Sequence, residues 1–190
     1  KSWLVRGAYI ITGFGGLVTL KLFLIYYGFQ NWIPLDICIS ILAILAASYT
    51  AFLFGQAKAR DLWQTPWTNA FHMLVHALMA GSTIIMLINL ESSNFLLEIL
   101  VGLICLNLIL IAKEVFFYHD TLDTKKAINL MLNGYYSKYF WSGIVLSSLL
   151  PLLIISFNPN LIFAASILAS LGIFLTEFVR IRIPQLIPLS

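Results

Sequence analysis

Apolar residues run through this chain in stretches of about twenty, separated by short polar punctuation, and that pattern leaves few ways to fold. Hydrophobic residues make up 61% of the 190 positions and charged residues only 10%, against about 25% charged in an ordinary soluble domain. The mean hydropathy is +0.94. No soluble fold of this size hides so much apolar surface, so the composition calls for an all-α, polytopic transmembrane bundle. A span takes about 20 mostly apolar residues. Six fit, at about 8–29, 35–54, 67–90, 95–117, 139–157 and 161–179, within one integral membrane domain covering 1–190.

The punctuation supports these spans. Gly13, Gly15 and Gly16 in the first allow a close helix neighbour. GFQNWIPLD closes the first hairpin, with Trp32 as an interfacial anchor and Pro34 just before the second helix. ESSN at 91–94 and NPN at 158–160 are tight turns, and Pro151 predicts a kink in the fifth span. The longest polar segment, 118–138, contains a predicted short amphipathic helix over 124–133. Asp120 and Asp123 suit its start, and Ala127, Ile128, Met131 and Leu132 are expected to face the lipid boundary.

Charge orients the bundle. Ten of the eleven basic residues (Lys1, Arg6, Lys58, Arg60, Lys113, Lys125, Lys126, Lys138, Arg180 and Arg182) fall on one side of the alternating loops. The other side has Asp36, Glu91 and Glu98 and no basic residue. The positive-inside rule then places both ends of the chain in the cytoplasm and supports an even number of spans. So few Lys and Arg make no basic face for nucleic acid. Cys38 and Cys105 lie in apolar runs without metal-ligand spacing and read as small packing residues. The opening KSWLVRG lacks a signal peptide's apolar core and cleavage site. Lys in place of Met at position 1 fits a fragment, a processed product or a renumbered portion of a longer protein.

The stretch FGQAKARDLWQTPWTNAFHMLVHALMAG, 54–81, gathers the most chemistry: a basic turn, then an apolar helix bearing His72 and His76. Four residues apart, the two imidazoles share a helix face. Intramembrane histidines are candidate proton carriers; interhelical hydrogen bonding is the equal alternative. They do not suit a haem, which two histidines would grip from two helices, and the third, His119, falls in a loop. Lys21 is the costliest residue, since a charge at mid-bilayer costs about 2.5–3.5 kcal/mol. It either snorkels to the interface, towards Asp36 across the hairpin, or touches a proton or a quinone head group. Tyr49 offers a phenol for a quinone carbonyl or an ordinary interfacial aromatic. Glu114 and Glu177 are expected in local ion pairs with Lys113 and Arg180, and Asn89 and Asn107 between helices. No phosphate loop, nucleophilic triad or metal cluster is present in the sequence.

Taken in order, SWLVRGAYI, SYTAFLFGQAKARDLWQTPW, EVFFYHD, KAINLMLNGYYSKYFW and the terminal RIRIPQLIPLS resemble the NrfD family. These are the membrane subunits of polysulfide, dimethyl sulfoxide and related molybdenum reductases, and of alternative complex III. The resemblance covers nearly the whole chain. Members typically have eight or more spans, and it begins where a third span would, which implies further transmembrane helices missing from this chain. The family's best-known quinone-binding residues include some on those first helices and are not carried over. The tail reads IRIPQ where many members carry a VRAGQ-like segment.

The resemblance implies a membrane anchor and quinone-interacting subunit of a multi-subunit oxidoreductase, multi-pass in the cytoplasmic (inner) membrane of a prokaryote. It would exchange electrons between menaquinone or ubiquinone and a ferredoxin-like iron–sulfur subunit, beside a molybdopterin-type catalytic subunit, with no haem and no metal of its own. Tyr49, in the SYTAFL motif, is the implied quinone contact. Lys21 and Asp36 join it as candidates, with His72 and His76 as a proton path. The alternatives are a proton-coupled transporter built on Lys21, His72 and His76, and a purely structural membrane anchor.

Overall fold

The computed structural model describes residues 2–29, 32–57, 60–88, 94–116, 121–158 and 161–187. Lys1, Lys58, Asn89, Glu91, His119, Asp120, Pro159 and Asn160 lie outside the described residues. Helix dominates, and no strand occurs among the described residues. The elements are α1 (Trp3–Tyr26), α2 (Ile33–Gly55), a 3-10 turn at Asp61–Trp63, α3 (Pro66–Ile88), α4 (Asn94–Phe116) and α5 (Leu122–Asn133). The fifth span comprises α6 (Ser137–Ile144), a π-helical turn (Val145–Leu149) and α7 (Leu150–Phe157), and α8 (Ile162–Leu186) follows. Among the described residues six helices are long and apolar enough to cross a membrane, one for each span read from the sequence.

The boundaries shift for local reasons. α1 starts five residues early because Ser2 caps it, its hydroxyl accepting from the Leu4 N–H at 3.2 Å. It stops at Tyr26, short of Phe29, because Gly28 takes φ +88°. That turn lets Gly28 N–H bond the Ile25 carbonyl and Phe29 N–H the Leu24 carbonyl, a Schellman stop that ends the helix inside its apolar run. α8 runs well past Val179. Val179, Ile183 and Ile187 continue its buried stripe at four-residue spacing. Arg60 donates to the Pro184 and Ile187 carbonyls at 2.9 and 2.5 Å, covering acceptors that the helix end leaves open. Arg60 thus holds a helix terminus in addition to marking a basic loop.

By its contacts the chain resolves into two compact units. The first comprises 1–58 and 63–74 and is a hairpin of α1 on α2 with the start of α3. Away from the α1–α2 turn an aromatic cluster joins it: Trp3 stacks on Phe52 at 4.6 Å, Phe52 meets Trp67 edge-on at 4.9 Å, and Phe54 stacks on Trp63 at 4.8 Å. Tyr49 covers Gly7, where an added Cβ would come within 2.3 Å of the ring. The close approach is therefore at Gly7 rather than at the expected Gly13, Gly15 and Gly16. Gly13 has only an ordinary contact with Leu42, and nothing lies within 4 Å of a Cβ at the other two. Both helices otherwise point their apolar side chains outward.

The second unit, 59–62 with 75–190, has two apolar clusters. One, towards the α4–α5 connection, contains Ile111, Met131, Phe140, Ile144, Val179 and Ile183. The other, towards the α3–α4 turn, contains Val75, Met79, Met86, Leu100, Ile104 and Ile173. α5 corrects a sequence expectation. Thr121 caps it, but Ala127, Ile128 and Met131 are buried in the first cluster and do not face lipid. An amphipathic helix at a membrane surface can turn its apolar face to the lipid or to the bundle, and here the α4, α6 and α8 side chains supply the better-packed partner. Cys38 and Cys105, expected to be packing residues, are both exposed.

Where the sequence predicts a kink, the chain forms the π turn. Pro151 has no N–H for the carbonyl one turn back, and the turn before it widens, with Leu150 N–H bonding the Val145 carbonyl. This turn lies directly on α8: a Cβ on Gly172 would sit 2.0 Å from the Ser147 backbone nitrogen. Gly172→Ala should therefore lower the thermal midpoint of the purified protein by the equivalent of about 1–3 kcal/mol. Gly102→Ala, where a Cβ meets nothing within 4 Å, should leave it unchanged; equal effects would mean that the α8 contact is not tight.

Candidate functional site

One connected set of polar side chains in the second unit lies as a layer between its two apolar clusters, while Ser82, Thr83 and Ser166 are buried on the stretches of α3 and α8 that carry the second cluster. On α4, Asn107 lies between Ile104 of one cluster and Ile111 of the other. On the fifth span, Ser147 and Ser148 lie between Ile144 and Ile155. On α8, Thr176 and Glu177 lie between Ile173 and Val179. α3 adds His76, one position after the buried Val75. Helical spacing carries each of these inward with its apolar neighbours, so the layer follows from the same stripes that make the core.

His76 is its centre. It is 5% exposed, and both ring nitrogens are engaged. Nδ1 lies 2.7 Å from Glu177 Oε1 and Nε2 lies 2.8 Å from Asn107 Oδ1. Asn107 Nδ2 donates to Ser148 Oγ at 3.2 Å, and Ser147 and Ser148 hydroxyls meet at 3.2 Å. On the other side, Arg180 joins the two carboxylates: Nε reaches Glu114 at 3.1–3.2 Å and Nη1 reaches Glu177 Oε1 at 3.2 Å. Glu177 Oε1 thus faces both the guanidinium and the imidazole. The Glu177–Arg180 pair is local, as expected; the Glu114 partner comes from α4, 66 residues away.

In a region of low effective dielectric each of these contacts is stronger than in water, and an unpaired member would be costly. Two carboxylates and one guanidinium leave one negative charge beside an imidazole. That arrangement can take up, hold and release a proton with little rearrangement. Among the described residues no three His, Cys, Asp or Glu gather as a metal site requires.

The remaining sequence candidates divide. Lys21 and Asp36 form an ion pair across the α1–α2 hairpin, both partly exposed. Tyr49 stands at the other end of α2, thirteen residues from Asp36, which is roughly 20 Å at the helical rise. One quinone ring cannot touch both places. The donor chemistry at Lys21–Asp36 does suit a quinone: an ammonium keeps hydrogens for a carbonyl after pairing once, and a carboxylate accepts from a quinol hydroxyl. His72 is buried, one turn before His76 on α3. Asn107 bonds between helices and Glu177 pairs locally, as expected, but the sequence assigns neither of them, nor Ser148, to His76. Their legible signal was a polar residue inside an apolar stripe on three different helices.

The family model for polysulphide reductase, NrfD, matches residues 12–188 of the chain. No curated protein and no solved structure matches it.

Removing Arg180 takes a shared cation from Glu114 and Glu177 at once. Arg180→Leu should cost about 3–5 kcal/mol, read as a large fall in thermal midpoint. Arg180→Leu with Glu114→Gln should recover part of it. Failure of the double variant to recover any stability would show that the three groups do not act together.

Proposed function

This chain belongs to the NrfD family, whose members are multi-pass membrane subunits of quinone-linked oxidoreductases, and on that premise we propose its role. It serves as the membrane anchor and quinone-interacting subunit of a multi-subunit oxidoreductase, exchanging electrons between menaquinone or ubiquinone and an iron–sulfur partner subunit. The observation that carries this reading is the family match along residues 12–188, on a chain with six membrane-length helices among its described residues.

When bound, a quinone supplies two-electron chemistry coupled to two protons. Lys21 and Asp36 are assigned to its head group, because they offer a donor and an acceptor at one place in the hairpin. Tyr49 is a separate contact at the far end of α2. His76 and His72 form the proton path, with His76 the better supported of the two because Glu177 and Asn107 hold both its nitrogens. The bias of the basic residues supports both ends of the chain lying in the cytoplasm of a prokaryotic cell. A ferredoxin-like subunit and a molybdopterin-type catalytic subunit complete the complex.

Purification under mild conditions should bring down a cubane-cluster partner and bound menaquinone or ubiquinone. A preparation with neither, active as a carrier in liposomes, would sink the proposal in favour of a proton-coupled transporter. Within the complex, His76→Ala should slow quinol turnover roughly a hundredfold, the usual scale for loss of a positioned proton carrier, with subunit stoichiometry intact. Unchanged turnover would remove His76 from the mechanism, and Lys21→Gln and Tyr49→Phe test the two head-group assignments in the same assay.

A further inference from the structure

Hydrogen-bond polarity runs in one direction through the polar layer. A backbone carbonyl can only accept. Ser147 Oγ donates to the Ile144 carbonyl at 3.5 Å, the longest link in the chain. With that hydrogen committed, the 3.2 Å contact between the two hydroxyls uses the hydrogen of Ser148. Ser148 Oγ then turns a lone pair towards Asn107 and receives Nδ2–H. The amide is planar, so its oxygen faces the opposite way, onto His76 Nε2. An amide oxygen does not donate, and Nε2 must therefore carry a hydrogen.

That leaves Nδ1, 2.7 Å from Glu177 Oε1. An ionised carboxylate and a bare ring nitrogen both only accept, so the contact requires one proton between them. We propose that Ser148, delivered by the π-helical turn, and Asn107 are positioning residues that fix His76 as its Nε2–H tautomer. The exchangeable proton is thereby confined to the Nδ1–Glu177 side. Moving it breaks the Nδ1–H bond and forms the Oε1–H bond, or the reverse, and changes no other bond. Charged groups at this pair include Arg180, bonded to Glu177, and Glu114 beyond it.

The π turn matters because adjacent residues of a regular helix do not face one another. Here Ser147 and Ser148 are both fully buried and in contact with each other. The wider turn brings the second hydroxyl to Asn107 while the first stays tied to its own backbone. The inference rests on His76 being a proton carrier, and it adds which nitrogen carries the proton and what decides it.

The test is nitrogen-15 NMR of histidine-labelled full chain, in lipid nanodiscs with the subunits that purify with it, the His76 signals being identified by their loss in His76→Gln. In the unaltered protein Nε2 should stay protonated across the pH titration while Nδ1 is the nitrogen whose shift moves. A titrating Nε2, or a neutral His76 with its hydrogen on Nδ1, overturns the proposal without any variant. Ser148→Ala should raise the population of the neutral Nδ1–H tautomer about tenfold, the scale of one net hydrogen bond, and Ser148→Thr should restore the original state. No change in Ser148→Ala also overturns it. If that variant does not assemble, Ser148→Cys replaces it, since a thiol is a weak acceptor. The predicted tautomer combined with unchanged quinol turnover in His76→Ala would refute the proton role alone, so the two failures read differently.

Discussion

Glu114 and Glu177 sit within helices long and apolar enough to cross a membrane, and a single guanidinium, Arg180, satisfies both. Much of the second unit depends on that pairing. Without that guanidinium each carboxylate would lose a charged partner that offsets its lost hydration. With it, α4 and α8 are tied at one level, and Glu177 is held with an oxygen turned to His76. The imidazole in turn engages Asn107, and through it the fifth span. One cation thus organises a layer that draws on four helices.

The layer also needs close helix contact, and glycine provides it. Gly172 lets the π turn rest against α8, and a side chain there would strike backbone. Pro151 explains why the fifth span departs from regular helix just before it. The irregular turn is therefore tied to a missing N–H on one side and a missing Cβ on the other. Its result is to place two adjacent hydroxyls inside the bundle, which a regular turn would not do.

The motifs that carried the family resemblance meet in space within each unit. Trp3 of the opening segment stacks on Phe52, which meets Trp67, both from the SYTAFLFGQAKARDLWQTPW segment. Ala127, Ile128 and Met131 pack with Ile183 and Ile187 of the terminal segment. Short patterns that look weak singly are thus the contact surfaces at helix ends, where turn chemistry and packing both constrain residue type. α5 was misread for a related reason. Its amphipathic pattern shows that one face is apolar, but lipid and protein are equally apolar covers, and only the position of α4, α6 and α8 decides between them.

The sequence alone determined the membrane class, the six spans and the family, because each depends on local hydropathy or on motif order, and both are properties of consecutive residues. Lys21–Asp36 was also legible, since a short turn leaves the two ends of a hairpin little choice of neighbour. Tertiary structure decided which polar residues act together. Periodicity shows that Asn107, Ser148 and Glu177 share faces with core residues, but their helical rotation and relative height are set by packing. His76 is separated from Glu177 by 101 residues and from Asn107 by 31. No pattern along the chain specifies such a distance; it emerges only when the apolar clusters above and below bring the helices into register.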